Sequence, residues 1–322
     1  MGSASPPNPL SPSSAQRSKG SGGGPISRVP RSSRPDRARH GSYRAASFPV
    51  GARLLRYPSA ALGLALVAVY LAAALLAGLV SPYSPLEQHV RDRLQGPNRQ
   101  YVLGTDEFGR DVLSRLMHGA TNSLGVAVVS VGLATVLGTA LGMLAGYAGG
   151  LTDNAIMRVM DLFFAFPAIL LALSVVSALG PGARNTILAI AIVYTPIFAR
   201  VARGPVLALK AVEFVAAARA VGVGHARILL RHILPNAVAP LVVQVSLALS
   251  WAMLTEAALS YLGLGTRPPA PSWGGMLSDS RRLIEIAPWL AVFPGLAIML
   301  GVLGFNLLGD GLRDALDPRL RR

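Results

Sequence analysis

The stretch Glu213-Phe214-Val215-Ala216-Ala217-Ala218-Arg219-Ala220-Val221-Gly222, continued by Arg227, Arg231 and Ile233-Leu234-Pro235-Asn236, decides how the whole chain is read. It interrupts two long apolar runs, roughly 186–206 and 237–262, with charged and small residues. A bilayer takes about 20 apolar residues to cross, so these runs are membrane spans and the interruption is a loop held at the membrane surface, open to a soluble partner. Working outward, four more runs qualify, at 58–80, 121–146, 155–179 and 287–308. Pro167, Pro196 and Pro294 fall inside the third, fourth and sixth spans and predict kinks, which membrane helices tolerate.

Composition agrees with an all-α integral membrane protein of six helices: 52% of the 322 residues are hydrophobic and 14% charged, in blocks too long for amphipathic helices. The absence of cysteine excludes disulfides, thiolate catalysis and cysteine-ligated metals. His40, His89, His118, His225 and His232 share no ligand spacing, so no metal site is expected, and no nucleophile–base set marks a catalytic site. The formal charge of +15 raises the question of a nucleic-acid partner, but no zinc, helix-turn-helix or RNA-binding pattern accompanies it.

Residues 1–55, rich in Ser, Pro, Gly and Arg, bury too little apolar surface to offset ordering entropy and read as a disordered basic tail. Its charges suit anionic headgroups, at about 1 kcal/mol each, although a topogenic or linker role explains them as well. The first apolar run reads as an uncleaved anchor. Residues 56–120 then hold the first span and a loop, 121–308 a core of five spans with the connecting loop 207–236, and 309–322 a short tail. With the N-terminus inside, 21 Lys and Arg fall inside against nine outside, and 11 against nine without the tail. Both termini and the 207–236 loop are therefore expected in the cytoplasm of a multi-pass cell-membrane protein. Loops 81–120 and 263–286 fall outside. In the first, Val112, Leu113, Leu116 and Met117 oppose Arg110, Asp111, Ser114 and Arg115, the pattern of a surface helix lying flat on the membrane or of a packed connector.

Within the 207–236 loop, Ala216, Ala217, Ala218 and Ala220 favour a slim helix, Gly222 and Gly224 break it, and Pro235 stops the segment that follows. Taken alone this is as much a solvated loop helix as a docking element. The residues, however, resemble the E-A-A-x-x-x-G-x9-I-x-L-P loop of ATP-binding-cassette importer permeases, and more closely their dipeptide/oligopeptide/nickel branch. Glu213 to Gly222 and Arg231 to Asn236 match that branch's loop. Leu103-Gly104-Thr105-Asp106 with Gly109-Arg110-Asp111-Val112 and Ser114-Arg115 match too, as do Gly180-Pro181-Gly182 and Gly309-Asp310-Gly311-Leu312-Arg313-Asp314 with Leu316-Asp317-Pro318-Arg319. Two positions depart from the general pattern: Ala216 stands where the acid precedes the paired alanines, leaving Glu213 as the nearby acid, and His232 occupies the isoleucine column.

The resemblance implies a type I importer permease fold in which this loop is a coupling helix inserted into a cytoplasmic ATPase. The residues it assigns to coupling are Glu213, Ala216, Ala217, Ala218, Arg219, Gly222, Arg227, Arg231 and Pro235. It also implies a second, related permease chain, two P-loop ATPase subunits, an extracytoplasmic solute-binding protein and a di- or oligopeptide cargo, with nickel and glutathione-like cargoes open. No G-x-x-x-x-G-K-[ST] occurs in the sequence, so no cofactor is expected here and ATP with its magnesium falls to the partners.

Polar residues in the spans are candidates for the pathway. In the fifth, Gln244 and Thr255 share one face while Glu256 and Ser260 share another; Gln244, Ser250, Thr255 and Glu256 are the candidates. Arg158 and Asp161 are spaced for an intrahelical ion pair, Arg200 and Arg203 fit the positive-inside rule, and Gly132, Gly138, Gly142 and Gly146 suit close helix packing. The rival reading is an ion-coupled secondary transporter acting through Glu256 and Asp161.

Overall fold

The computed structural model describes residues 57–316; the expected tail over 1–55 and residues 317–322 lie outside the described residues. The described part is helical. Five helices are long and apolar enough to span: α1 (Pro58–Val80), α2 (Val112–Ala148), α5 (Ala183–Leu209), α7 (His225–Tyr261) and α9 (Trp289–Leu316). A bent pair, α3 (Gly150–Phe164) and α4 (Ala168–Leu179), makes a sixth if counted as one. Two shorter α-helices are α6 (Glu213–Ala220) and α8 (Trp273–Ser280), and a single 3-10 turn covers Val90–Asp92.

The expected third span, 155–179, is therefore corrected from a kinked helix to a corner of 91°. Pro167 has no N–H to donate and sterically drives Phe166 out of helical geometry; Pro167 itself sits extended, at φ −54 and ψ 128. By contrast Pro196 and Pro205 stay inside an unbroken α5, and Pro294 inside α9.

Bundle cohesion comes mainly from α2 against α5, while α9 joins α1 to α7. Gly138, Gly142 and Gly146 recur every four residues along α2 and let its backbone meet that of α5. A Cβ on Gly138 would stand 2.6 Å from Cβ of Phe198, one on Gly142 would strike the Ala199 carbonyl, and one on Gly146 would reach Val206 at 3.0 Å. Gly132 faces open space and takes no part. Likewise the last helix does not end at 308: Gly309 packs on Leu247 of α7 and Gly311 on Ala60 of α1. The short tail expected from 309 is thus helical packing surface as far as Leu316.

Of the two readings of 110–117, the flat surface helix is corrected and the packed connector holds. These residues open α2, and their polar face is buried: Asp111 and Ser114 are at most 1% exposed, Arg115 4% and Arg110 8%. Burial is tolerated because every charge is answered. Asp106 takes the Arg110 guanidinium at 2.6 Å and the backbone N–H groups of Phe108 and Arg110 at 2.9 Å, with Arg115 at 3.5 Å. Asp111 caps α2, accepting from the backbone N–H of Ser114 at 2.8 Å and its hydroxyl at 2.7 Å. Nearby, burial and a hydrogen bond to Asp92 push the Tyr101 phenol up to about 12, so it remains a donor to that carboxylate at 2.9 Å. The matched stretch from Leu103 to Arg115 is in this way a folded cap on one end of the bundle. Asp111→Ala should cost about 1 kcal/mol of stability, read as a lowered unfolding midpoint of the detergent-solubilised chain.

Helix α8 escapes sequence reading because Gly274 and Gly275 are poor helix formers. Ser272 nevertheless caps it by accepting from the Gly275 N–H at 3.2 Å, and Gly274 lets the helix lie directly on the Ala257 backbone of α7. Trp273 locks it to α2, donating through Nε1 to the Leu116 carbonyl at 2.9 Å.

Candidate functional site

At the end of the bundle opposite this cap, α5 runs out at Leu209 and α6 begins at Glu213. Val215 is its single buried residue; Glu213, Phe214, Ala216, Ala217, Arg219 and Ala220 are exposed, and Ala218 is half-buried. Val215, with Ala218 beside it, thus anchors a helix most of whose surface is exposed. Phe214 and Val221 leave 44% and 80% of their surface uncovered, a cost in water that a partner's groove would remove.

The end of α6 is fixed by backbone chemistry. Gly222 adopts φ +78, the left-handed region that L side chains avoid. Its N–H donates to the Arg219 carbonyl at 3.0 Å, and the Val223 N–H reaches back to Ala218 at 3.0 Å. This pair of bonds is a Schellman cap, which satisfies carbonyls left over at the helix end. Beyond it the chain re-enters helix at His225 and passes through a π-helical stretch, Ile228–Ile233, before the regular part of α7. Ile228 and Ile233 are fully buried, whereas Arg227, Arg231 and Pro235 are exposed. A π turn carries one extra residue per turn and leaves no sequence signature of its own here.

Several contacts tie this region to the neighbouring ends of α2, α3 and α5. Tyr147 in the last turn of α2 meets both arms of the loop: its hydroxyl lies 2.8 Å from Nδ1 of His225, and the Arg219 guanidinium sits 5.0 Å from its ring centre. Lys210 donates to the Gly146 carbonyl at 2.8 Å. Asp153 of α3 grips Arg203 of α5 through two bonds of 2.7 and 2.6 Å.

Arg200 and Arg203 therefore do more than satisfy charge topology, and the expected Arg158–Asp161 pair is corrected. Asp161 accepts from Arg200 at 2.6 Å, and Arg200 also stacks 3.9 Å from the Phe164 ring centre. A rigid guanidinium fork reaching across from α5 outcompetes the one-turn neighbour on the same helix. Tyr147, Lys210 and Asp153 were not singled out by their sequence, which shows their spacing but not the helix ends that bring them together.

The pathway candidates are not brought to one shared face. Ser250 donates to the Val302 carbonyl of α9 at 3.2 Å, and Thr255 donates to Trp251 O at 2.9 Å while lying 3.2 Å from the Tyr194 hydroxyl of α5. Glu256 is 1% exposed and accepts from Ser260 at 2.7 Å; Gln244 is half-buried.

Residues 138–322 match the family described as binding-protein-dependent transport system inner membrane component, and residues 50–97 match the N-terminal TM domain of oligopeptide transport permease C. The chain belongs to this family. The permease is 48% identical to the dipeptide transport system permease protein DppC of Alkalihalophilus pseudofirmus, over 81% of this chain and 86% of that one. It is 46% identical to the glutathione transport system permease protein GsiD of Pectobacterium atrosepticum, over 84% and 90%. Among solved structures, the inward-facing MetNI methionine ABC transporter superposes with a TM-score of 0.51 at 19% identity, covering 63% of this chain and 97% of that chain, a likeness of fold.

The protein is thus a multi-pass permease subunit of an ABC importer with the type I fold. A permease of a binding-protein-dependent ABC importer implies ATPase and solute-binding partners. The rival ion-coupled transporter reading falls with this assignment.

Proposed function

We propose that this permease imports di- or oligopeptides and that α6 is the lever through which two P-loop ATPase subunits drive it. The observation that carries the lever is an exposed, capped helix held to the bundle by Val215 and by the contacts of Tyr147. ATP and its magnesium are bound by those partners, and closure around nucleotide displaces α6 and rocks α2, α5 and α7 between two arrangements. Both termini and α6 face the cytoplasm, in keeping with the count of Lys and Arg. A second, homologous permease chain completes the route as a heterodimer, and the solute-binding protein delivers cargo at the cap formed by 81–111 and α8. Peptide cargo follows from the relatives named for dipeptide and glutathione transport.

Because the sequence lacks cysteine, Phe214→Cys gives a single thiol on the exposed face of α6. Paired with one cysteine in the ATPase groove, it should form a disulfide that stops ATP-driven peptide uptake in proteoliposomes and is released by reductant. Labelling of that thiol by an impermeant reagent added outside intact cells would overturn the reading.

A further inference from the structure

Resting on that reading of α6, we infer that Tyr147 is the positioning residue that joins the lever to the membrane helices. Side chains from two separate elements converge on it. The ring receives the Arg219 guanidinium from α6 at 5.0 Å, and the hydroxyl meets Nδ1 of His225 at the start of α7 at 2.8 Å. The His225 ring also stands edge-on to the Tyr147 ring, with centres 5.6 Å apart. One side chain therefore holds the far end of α6 and the re-entry of α7 at once, across 72 and 78 residues of sequence.

Tyr147 is itself mounted rigidly. The residue before it, Gly146, packs on Val206 of α5 and has its carbonyl held by Lys210. Two residues beyond it the chain turns: Gly149 and Gly150 adopt φ +69 and +56, conformations a side chain would strain, and α3 begins. Helix α3 is held in turn by Asp153 on Arg203 of α5 and leads to the 91° corner with α4. A displacement of α6 and the start of α7 consequently reaches the α2–α3 junction through Tyr147. Of the lever's own side chains only Val215 is fully buried and Ala218 half-buried, so the Arg219 contact with Tyr147 is its one directed tie to α2.

The test uses the complete importer in proteoliposomes and reads ATP hydrolysed per peptide taken up, a ratio that a loss of folded protein alone leaves unchanged. Tyr147→Phe keeps the ring and removes the hydroxyl; the ratio should rise about five-fold, the population shift expected from losing one neutral hydrogen bond. His225→Ala, altered on the exposed side of the pair, should raise it similarly, and the double variant no further than either single one. Additive effects in the double variant would overturn the inference. So would an unchanged ratio in Tyr147→Phe beside a raised one in Glu213→Lys, a result that leaves the lever reading intact. If Glu213→Lys is unchanged as well, both fail together. Should Tyr147→Phe reduce membrane abundance, His225→Ala carries the test alone, and a wild-type ratio there overturns the inference.

Discussion

Gly142→Leu is expected to leave the chain inserted but to break its bundle, with a loss of at least about 3 kcal/mol and no recovery of a cooperative unfolding transition in detergent. The reason lies in backbone meeting backbone. A Cβ on Gly142 would strike the carbonyl of Ala199 and stand 2.8 Å from its carbon and 2.9 Å from its Cα, so relief requires α2 and α5 to separate. That separation unseats Phe198, Ala199 and Ala202, all fully buried, and opens the contact that holds the two helices carrying Tyr147, Arg203 and Lys210. In a bilayer there is no strong hydrophobic drive to bring separated helices back, since lipid tails solvate apolar faces as well as protein does. The same substitution at Gly132, which meets nothing within 4 Å, should fall within about 0.5 kcal/mol of wild type. Equal unfolding midpoints for the two variants would show that the α2–α5 contact is looser than described.

How much of this was legible in the sequence divides along one physical line. Spans announce themselves through length and apolarity, which is why α1, α2, α5, α7 and α9 were found in order, with α2, α7 and α9 drawn too short. Their ends were misjudged because polar residues there are buried in pairs and caps: Arg110, Asp111 and Arg115 read as a wet face and are packed. The glycines of the stretches that match the family, Gly309 apart, are places where backbone approaches backbone or turns through positive φ, as at Gly104, Gly109, Gly182 and Gly311. Partners across the bundle stayed hidden. Asp161 has Arg158 one turn away on its own helix, and nothing in the string says that Arg200, thirty-nine residues on, is the nearer cation.

Of the proposed lever, only α6 and its glycine break were visible, and the most decisive expectation concerns that break. Gly222→Val should reduce ATP-driven uptake at least ten-fold, on the order of 1–2 kcal/mol for a side chain in the left-handed region, while membrane abundance stays near wild type. The structure separates these effects because a Cβ at Gly222 meets nothing within 4 Å; the damage is conformational, confined to the Schellman cap. Valine is the severe choice, since a β-branched residue tolerates φ +78 least. Gly224 provides the control: it is equally open to solvent but sits at φ −61 and ψ 146, so Gly224→Val should transport normally. Glu213→Lys approaches the same lever from its other end, placing a cation in the first turn where the helix dipole favours an anion. It should also raise the ATP hydrolysed per peptide taken up. If Gly222→Val and Gly224→Val transport alike at equal abundance, the orientation of α6 is irrelevant to coupling, and the force must enter the permease elsewhere.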